Sequence, residues 1–201
     1  MTKQEYEANP RAHWEIRMKG GNKEISRSSS PLWVSNILPD IIINKGRTWC
    51  VDLGCGEGRY IGLTAEYFTH VIGVDFSASS IEQARKNAVG KKNIFFNHTS
   101  LDNMKDILDN SVDFAYSVAV FMHMTNKTRN AALEELHRIL KLDGRAVLLE
   151  ITSMEQGAFD CPNLTPLEWE NMIISAEFII DEITGKEHEG NFIKYKLHKE
   201  R

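Results

Sequence analysis

Asp52 stands two residues ahead of three alternating glycines, Gly54, Gly56 and Gly58, in the run Val51-Asp52-Leu53-Gly54-Cys55-Gly56-Glu57-Gly58-Arg59-Tyr60. Glycines at this spacing let a backbone approach a ligand that side chains would hold off. A dinucleotide fingerprint would read G-x-G-x-x-G, but Arg59 occupies the position of its third glycine. A second acid, Asp75, closes the next apolar run, His70-Val71-Ile72-Gly73-Val74-Asp75. An acid about 20 positions beyond such a turn is where a ribose hydroxyl pair is gripped. The pattern asks for a ligand with a ribose and no pyrophosphate.

Those residues do chemistry only if the chain brings them to one edge. From residue 48 onward, strands and helices alternate. The pattern predicts a strand at 48–53, a helix at 57–68, a strand at 70–75 and a helix at 78–88 capped by Ser77 and closed by Gly90. A strand at 93–97 and a short helix at 102–108 follow, then a strand at 113–119 and a helix at 126–141 opened by Thr125. Gly144 turns the chain into a strand ending at Ile151. Such alternation implies right-handed crossovers and a mostly parallel sheet with helices on both faces.

Further on, Thr165-Pro166-Leu167-Glu168 is a capping box with proline at the first helical position, predicting a helix to Ala176. Strands at 177–183 and 191–197 flank a polar turn, an antiparallel terminal hairpin by its short connection. Upstream, Ser30 suits an N-cap and Pro31 a first helical position, with Leu32, Trp33, Ile37, Leu38 and Ile41 at helical spacing.

The bulk of the chain narrows the function classes. Its 201 residues suit one domain, with 42% hydrophobic and 26% charged residues as in ordinary globular proteins. A net charge of −4 offers no electrostatic grip on a nucleic-acid backbone. Three cysteines, Cys50, Cys55 and Cys161, form no C-x-x-C pair and no even disulfide set, which fits a reducing cytoplasm. The N-terminus has no apolar core of signal-peptide length, and no apolar run approaches a membrane span. Glu187-His188-Glu189 reads as a solvated charge run, so no metal site is expected.

Val51 to Tyr60, Val74-Asp75-Phe76-Ser77 and the run from His137 to Leu149 together resemble a class I S-adenosylmethionine-dependent methyltransferase, in the group that modifies small molecules. The resemblance covers about residues 47 to 198 and implies a Rossmann-like α/β fold, a mostly parallel seven-stranded sheet ending in an antiparallel hairpin. It divides the chain into an N-terminal helical cap at 1–46 and a cofactor-binding domain at 47–201.

The resemblance also implies roles. Gly54, Cys55 and Gly56 lie under the methionine half of S-adenosylmethionine, and Asp52 meets its ammonium group. Asp75 accepts the ribose hydroxyls and Phe76 packs on the adenine. The family often places an acid after the next strand to hold the adenine amino group. Here Ser100 takes that place, so either Ser100 or Asp102 does this work, with Leu101 adjoining through its backbone. Ser117 and Val118 offer backbone contacts near the methionine, while Asp113, at the far end of that strand, is structural. In the cap, Trp14 and Arg17 share a helix face, with Arg17 near the cofactor carboxylate.

Methyl transfer is an in-line displacement in which positioning supplies much of the rate. A base is needed only where the acceptor must lose a proton. His123, just past a strand's carboxyl end, is the candidate base, and Glu150, ending the next strand, a second candidate to hold or deprotonate the acceptor. No Asn/Asp-Pro-Pro-Tyr/Phe run follows Asp113 and no Pro-Cys dipeptide occurs, which argues against nucleic-acid amino and cytosine-C5 methylation. The expected reaction is methylation of an oxygen or nitrogen of a small molecule. Its rivals are a nicotinamide-dependent oxidoreductase, a non-catalytic cofactor-binding or partner subunit, and an enzyme acting on RNA or protein. The oligomeric state is left open.

Overall fold

Short runs of β-branched and aromatic residues between polar turns build seven strands, and amphipathic segments cover them. The computed structural model describes residues 35–151, 164–185 and 192–199. In chain order the elements are α1 (Leu38–Ile43), β1 (Trp49–Leu53), α2 (Ile61–Thr64), β2 (His70–Asp75), α3 (Ala78–Asn87), β3 (Ile94–His98) and β4 (Val112–Val118). After a single 3-10 turn, Phe121–His123, come α4 (Asn126–Ile139), β5 (Leu140–Ile151), α5 (Pro166–Ser175), β6 (Phe178–Thr184) and β7 (Phe192–Lys199).

The strands lie in the order β3-β2-β1-β4-β5-β7-β6. Strands β1 to β5 pair in parallel, and β7 runs antiparallel to both β5 and β6. This is the expected Rossmann-like sheet with its terminal antiparallel pair. On one face Cys50, Val71, Phe114 and Leu149 pack with Ile41 of α1, with Ile37 just ahead of it and with Ile61 of α2. On the other, Val51, Ala115 and Leu148 pack with Leu133 and Leu136 of α4 and Trp169 and Ile173 of α5. Successive connections leave in opposite directions at β1 and β4. Their carboxyl ends therefore open a crevice, the place where open α/β sheets bind ligands.

Helix starts follow the expected chemistry. Ser77 accepts from the Ser80 N–H at 3.2 Å and Thr125 from Thr128 at 3.3 Å. Thr165 and Glu168 form the full capping box.

Three elements depart from the sequence reading, each for a visible reason. The helix expected at 57–68 shrinks to Ile61–Thr64. At its front, Gly56 and Gly58 hold φ of +53° and +78°, outside right-handed helix. At its rear, Asn93 Nδ2 donates to the carbonyls of Ala65 at 2.8 Å and Phe68 at 3.2 Å, replacing helical partners. The short helix expected at 102–108 is a series of turns. There Glu135 accepts from the Met104 N–H at 2.6 Å, and Arg138 donates to the carbonyls of Met104 and Ile107, each at 2.9 Å. Side chains of α4 supply what a helix would have supplied. Finally, β5 begins directly at Leu140, and Gly144 sits in an irregularity of that strand rather than in a turn before it. A Cβ on Gly144 would lie 2.8 Å from Leu140 Cγ and 3.0 Å from the Val112 carbonyl.

Candidate functional site

The glycine turn is fastened to the end of β2. The N–H groups of Gly54 and Cys55 both donate to the Val74 carbonyl, at 2.8 and 3.0 Å. Gly56 N–H donates to Asp75 Oδ2 at 2.9 Å, and Ser77 N–H donates to Asp75 Oδ1 at 2.9 Å. One carboxylate thus ties the turn to the start of α3. The glycines differ in why they are glycines. A Cβ on Gly54 would stand 2.5 Å from Val120 Cγ1, whereas a Cβ on Gly56 would meet no atom of the described residues within 4 Å. The first is wedged against another loop; the second opens onto free space, a cradle that a side chain would fill.

Beneath the turn lies Asp52, 3% exposed. Register places it between Tyr116 of β4 and Gly73 of β2. Among the described residues its Oδ2 has no hydrogen-bond partner. Burial pushes the Asp52 carboxyl up to about 7; the Tyr116 hydroxyl opposes the rise and the Asp75 charge adds to it. Burial also raises the thiols of Cys50 and Cys55 well above their ordinary value, so neither is a poised nucleophile. An unpartnered buried carboxylate oxygen is a costly feature that a bound cation would relieve. With the open space at Gly56 and the acid Asp75 beside it, it fits a ligand bearing an ammonium group and a ribose.

The opposite wall is the loop after β4. Ala119 holds φ of +54°, unusual for a residue with a Cβ. Val120 leans on Gly54, and Phe121 to His123 form the 3-10 turn. Two buried side chains clamp this loop. Glu150, 0% exposed, accepts from Ser117 Oγ at 2.8 Å, from Val120 N–H at 3.4 Å and from Met122 N–H at 3.0 Å. Burial raises its carboxyl, and these donors pull the other way. Arg129, also 0% exposed, donates to the carbonyls of Phe121 at 3.0 Å and Met124 at 2.9 Å and lies over the Trp169 ring.

The sequence-derived residues therefore converge on the carboxyl edge of the sheet. Asp52, Gly54, Cys55, Gly56, Asp75 and Phe76 gather at β1 and β2; Ser117, Val118, His123 and Glu150 gather at β4 and β5. Ser100 and Leu101 follow β3, where Leu101 turns into the core and His98 Nε2 donates to the Phe76 carbonyl at 3.0 Å. Ser117 directs its hydroxyl to Glu150 rather than outward. Asp113 lies at the other end of β4, accepting from Trp49 N–H at 2.8 Å and from Lys141 at 2.7 Å. Trp14, Arg17, Cys161 and His188 lie outside the described residues.

Sequence reasoning missed Tyr116, Thr64 and Arg129. Arg129 left a trace: it falls three and four residues ahead of Ala132 and Leu133, on the apolar stripe of α4, where a cation must be buried. Among the described residues no His/Cys/Asp/Glu group could hold a metal ion, and no helix is long and apolar enough to cross a membrane.

Comparison with known proteins adds to this geometry. Residues 51–148 match the family model described as methyltransferase domain. The chain is 32% identical over 107 residues to the tRNA (carboxymethyluridine(34)-5-O)-methyltransferase ALKBH8 of Macaca fascicularis, covering 52% of this chain and 15% of that protein. It is 28% identical over 137 residues to the demethylmenaquinone methyltransferase of Staphylococcus aureus (strain JH9), covering 64% of this chain and 53% of that protein. The chain thus spans about half of one curated relative and a small part of the other. Among solved structures, DhpI in complex with SAH superposes with a TM-score of 0.70 at 14% identity, over 94% of each chain, a likeness of fold.

Proposed function

Since the chain belongs to the class I S-adenosylmethionine-dependent methyltransferases, we propose that it transfers the methyl group of that cofactor to an oxygen or nitrogen of a small molecule. The observation that carries the reading is Asp52, a buried carboxylate with an unpartnered oxygen beneath a glycine turn open at Gly56. When bound, S-adenosylmethionine supplies a methyl group already activated on a sulfonium.

In this reading Asp52 takes the ammonium group, and Gly54, Cys55 and Gly56 pass beneath the methionine half. Asp75 accepts the ribose hydroxyls beside the two N–H groups it already holds. Phe76 covers the adenine, bordered by Leu101 and by either Ser100 or Asp102. The backbone at Ser117 and Val118 borders the methionine. His123 takes the proton of an acceptor that must lose one. Glu150, with both oxygens engaged, serves by holding the loop of His123 rather than as a second base.

A small-molecule acceptor is supported by the likeness to a demethylmenaquinone methyltransferase. An RNA acceptor is the second reading, favoured by the likeness to a tRNA methyltransferase. Two experiments test the proposal. Thermal unfolding with S-adenosylmethionine, S-adenosylhomocysteine and NADH comes first; ligand at 100 times its dissociation constant raises the midpoint by about 5–10 °C. A shift with NADH alone would remove the methyltransferase reading. Tritium transfer from labelled S-adenosylmethionine is then compared between a low-molecular-weight extract and total RNA. Label in RNA alone would replace the small-molecule reading.

A further inference from the structure

Strand β6 ends the sheet. It pairs with β7 alone, so the N–H and C=O groups along its outer edge have no ladder partner among the described residues. Along that edge, between α5 and β6, lies a cleft of about 580 Å³. Its apolar surface includes Ile174 of α5, 59% exposed, and Ile179 of β6, 38% exposed. Its charged lining is Glu170, Glu177, Asp181 and Glu182, with no basic residue among them. Arg145 and His198 approach Asp181 at 4.0 and 2.8 Å, and Lys196 approaches Glu182 at 2.8 Å. Those cations stand behind the edge, on β5 and β7, and none of them lines the cleft.

We propose that the β6 edge docks an extended segment of a partner protein, with apolar and basic residues alternating, as an added strand of the sheet. Strand addition draws affinity from main-chain hydrogen bonds and specificity from alternate side chains. Phe178 and Ile180 turn to the face that α5 covers, and Ile179 between them turns to the other. An incoming strand would therefore meet Ile174 on one side and Ile179 on the other, with carboxylates beside both. Charges on an edge strand ordinarily discourage pairing. Here they share one sign and frame exposed isoleucines instead of replacing them, which rejects an acidic strand and admits a basic one. A second copy of this chain is disfavoured, because two β6 edges side by side would set Asp181 and Glu182 of one copy against those of the other. The same acids repel a nucleic-acid backbone. From β4 to β6 is three strand spacings, about 14 Å, so a strand added there leaves the crevice at β1 and β4 open. The inference therefore stands apart from the cofactor reading.

Fluorescence anisotropy with the full chain tests it. The probe is a labelled synthetic peptide alternating lysine and valine, and the control is its glutamate–valine counterpart. The lysine peptide should bind about tenfold more tightly than the control, and added salt should weaken it. Amide hydrogen exchange should slow within Phe178–Thr184 when it binds. Ile174→Lys and Glu177→Lys, both at exposed positions of the cleft, should each weaken the lysine peptide about tenfold and leave the melting curve in place. Failure to bind the lysine peptide, equal binding of the control, or exchange slowed only outside β6 would each overturn the inference. Variants that bind the peptide as the native chain does would overturn it as well. So would concentration-dependent dimers that protect β6 without peptide, since the occupant would then be a second copy.

Discussion

Glu150 and Arg129 hold one short loop by opposite ends of its peptide groups. The carboxylate of Glu150 accepts from the N–H groups of Val120 and Met122, and the guanidinium of Arg129 donates to the carbonyls of Phe121 and Met124. A buried acid and a buried base thus engage backbone groups of the loop from both sides. The loop they fix presses Val120 against Gly54 and carries His123.

Arg129→Met should therefore destabilise the protein by about 2–4 kcal/mol, because the Met124 carbonyl loses its side-chain donor and the Phe121 carbonyl one of two. Arg129→Lys, which keeps the charge but not the fork, should recover only part of it. Urea unfolding of the three proteins measures this; equal stability of the methionine variant would show that the clamp does not matter.

The glycines of the turn should separate stability from binding. Gly54→Ala drives a Cβ into Val120 at a positive φ and should cost about 2–5 kcal/mol. Gly56→Ala meets no atom of the described residues and should cost only the strain of its positive φ, about 1–2 kcal/mol. Its effect should fall on cofactor affinity, since the new methyl enters the free space above the turn. Denaturation and titration with S-adenosylhomocysteine on both variants give the comparison, and a Gly56→Ala protein that binds normally would remove the cradle.

Asp52 makes the ligand-free protein sensitive to pH. Its carboxyl is raised to about 7 in the fold, against 3.8 for the free group. The contribution of such a group is fully present below about pH 4 and is lost as pH rises through about 7, a change on the order of 4 kcal/mol. Asp52→Asn should then be more stable than the native protein at pH 8, with the advantage shrinking toward pH 5. Melting curves across that range check the sign; a pH-independent difference would refute it.

His123→Ala should leave S-adenosylhomocysteine affinity nearly intact and slow methyl transfer by about 10²-fold or more, once an acceptor is in hand. Turnover at the native rate would remove His123 as the base.

The sheet was legible because strand alternation and caps are local signals. Ser77, Thr125 and the Thr165–Glu168 box act on neighbours three residues away, and each starts the helix it announces. What was illegible depends on distant partners. The turns at 102–108 exist because Glu135 and Arg138 arrive from α4, and nothing within that segment announces them. At the site, Asp52 and Asp75 were readable from their distance to the glycines. Tyr116 was not, because its bearing on Asp52 comes from parallel register between strands far apart in sequence. Glu150 was found by position but reads differently in three dimensions, since its partners are N–H groups of a loop contributed by the preceding strand.

The strand order also sets a sequence of events in folding. Strand β7 lies between β5 and β6, so β6, although made first, has no place in the sheet until β7 has paired with β5. During synthesis at about 5–20 residues per second, strands β1 to β5 can assemble while β6 waits beside them, held by α5 and by the contact of Phe178 with His137 of α4. The apolar residues Phe178, Ile180 and Ile183 of β6 then lack the cover that β7 gives them in the finished sheet.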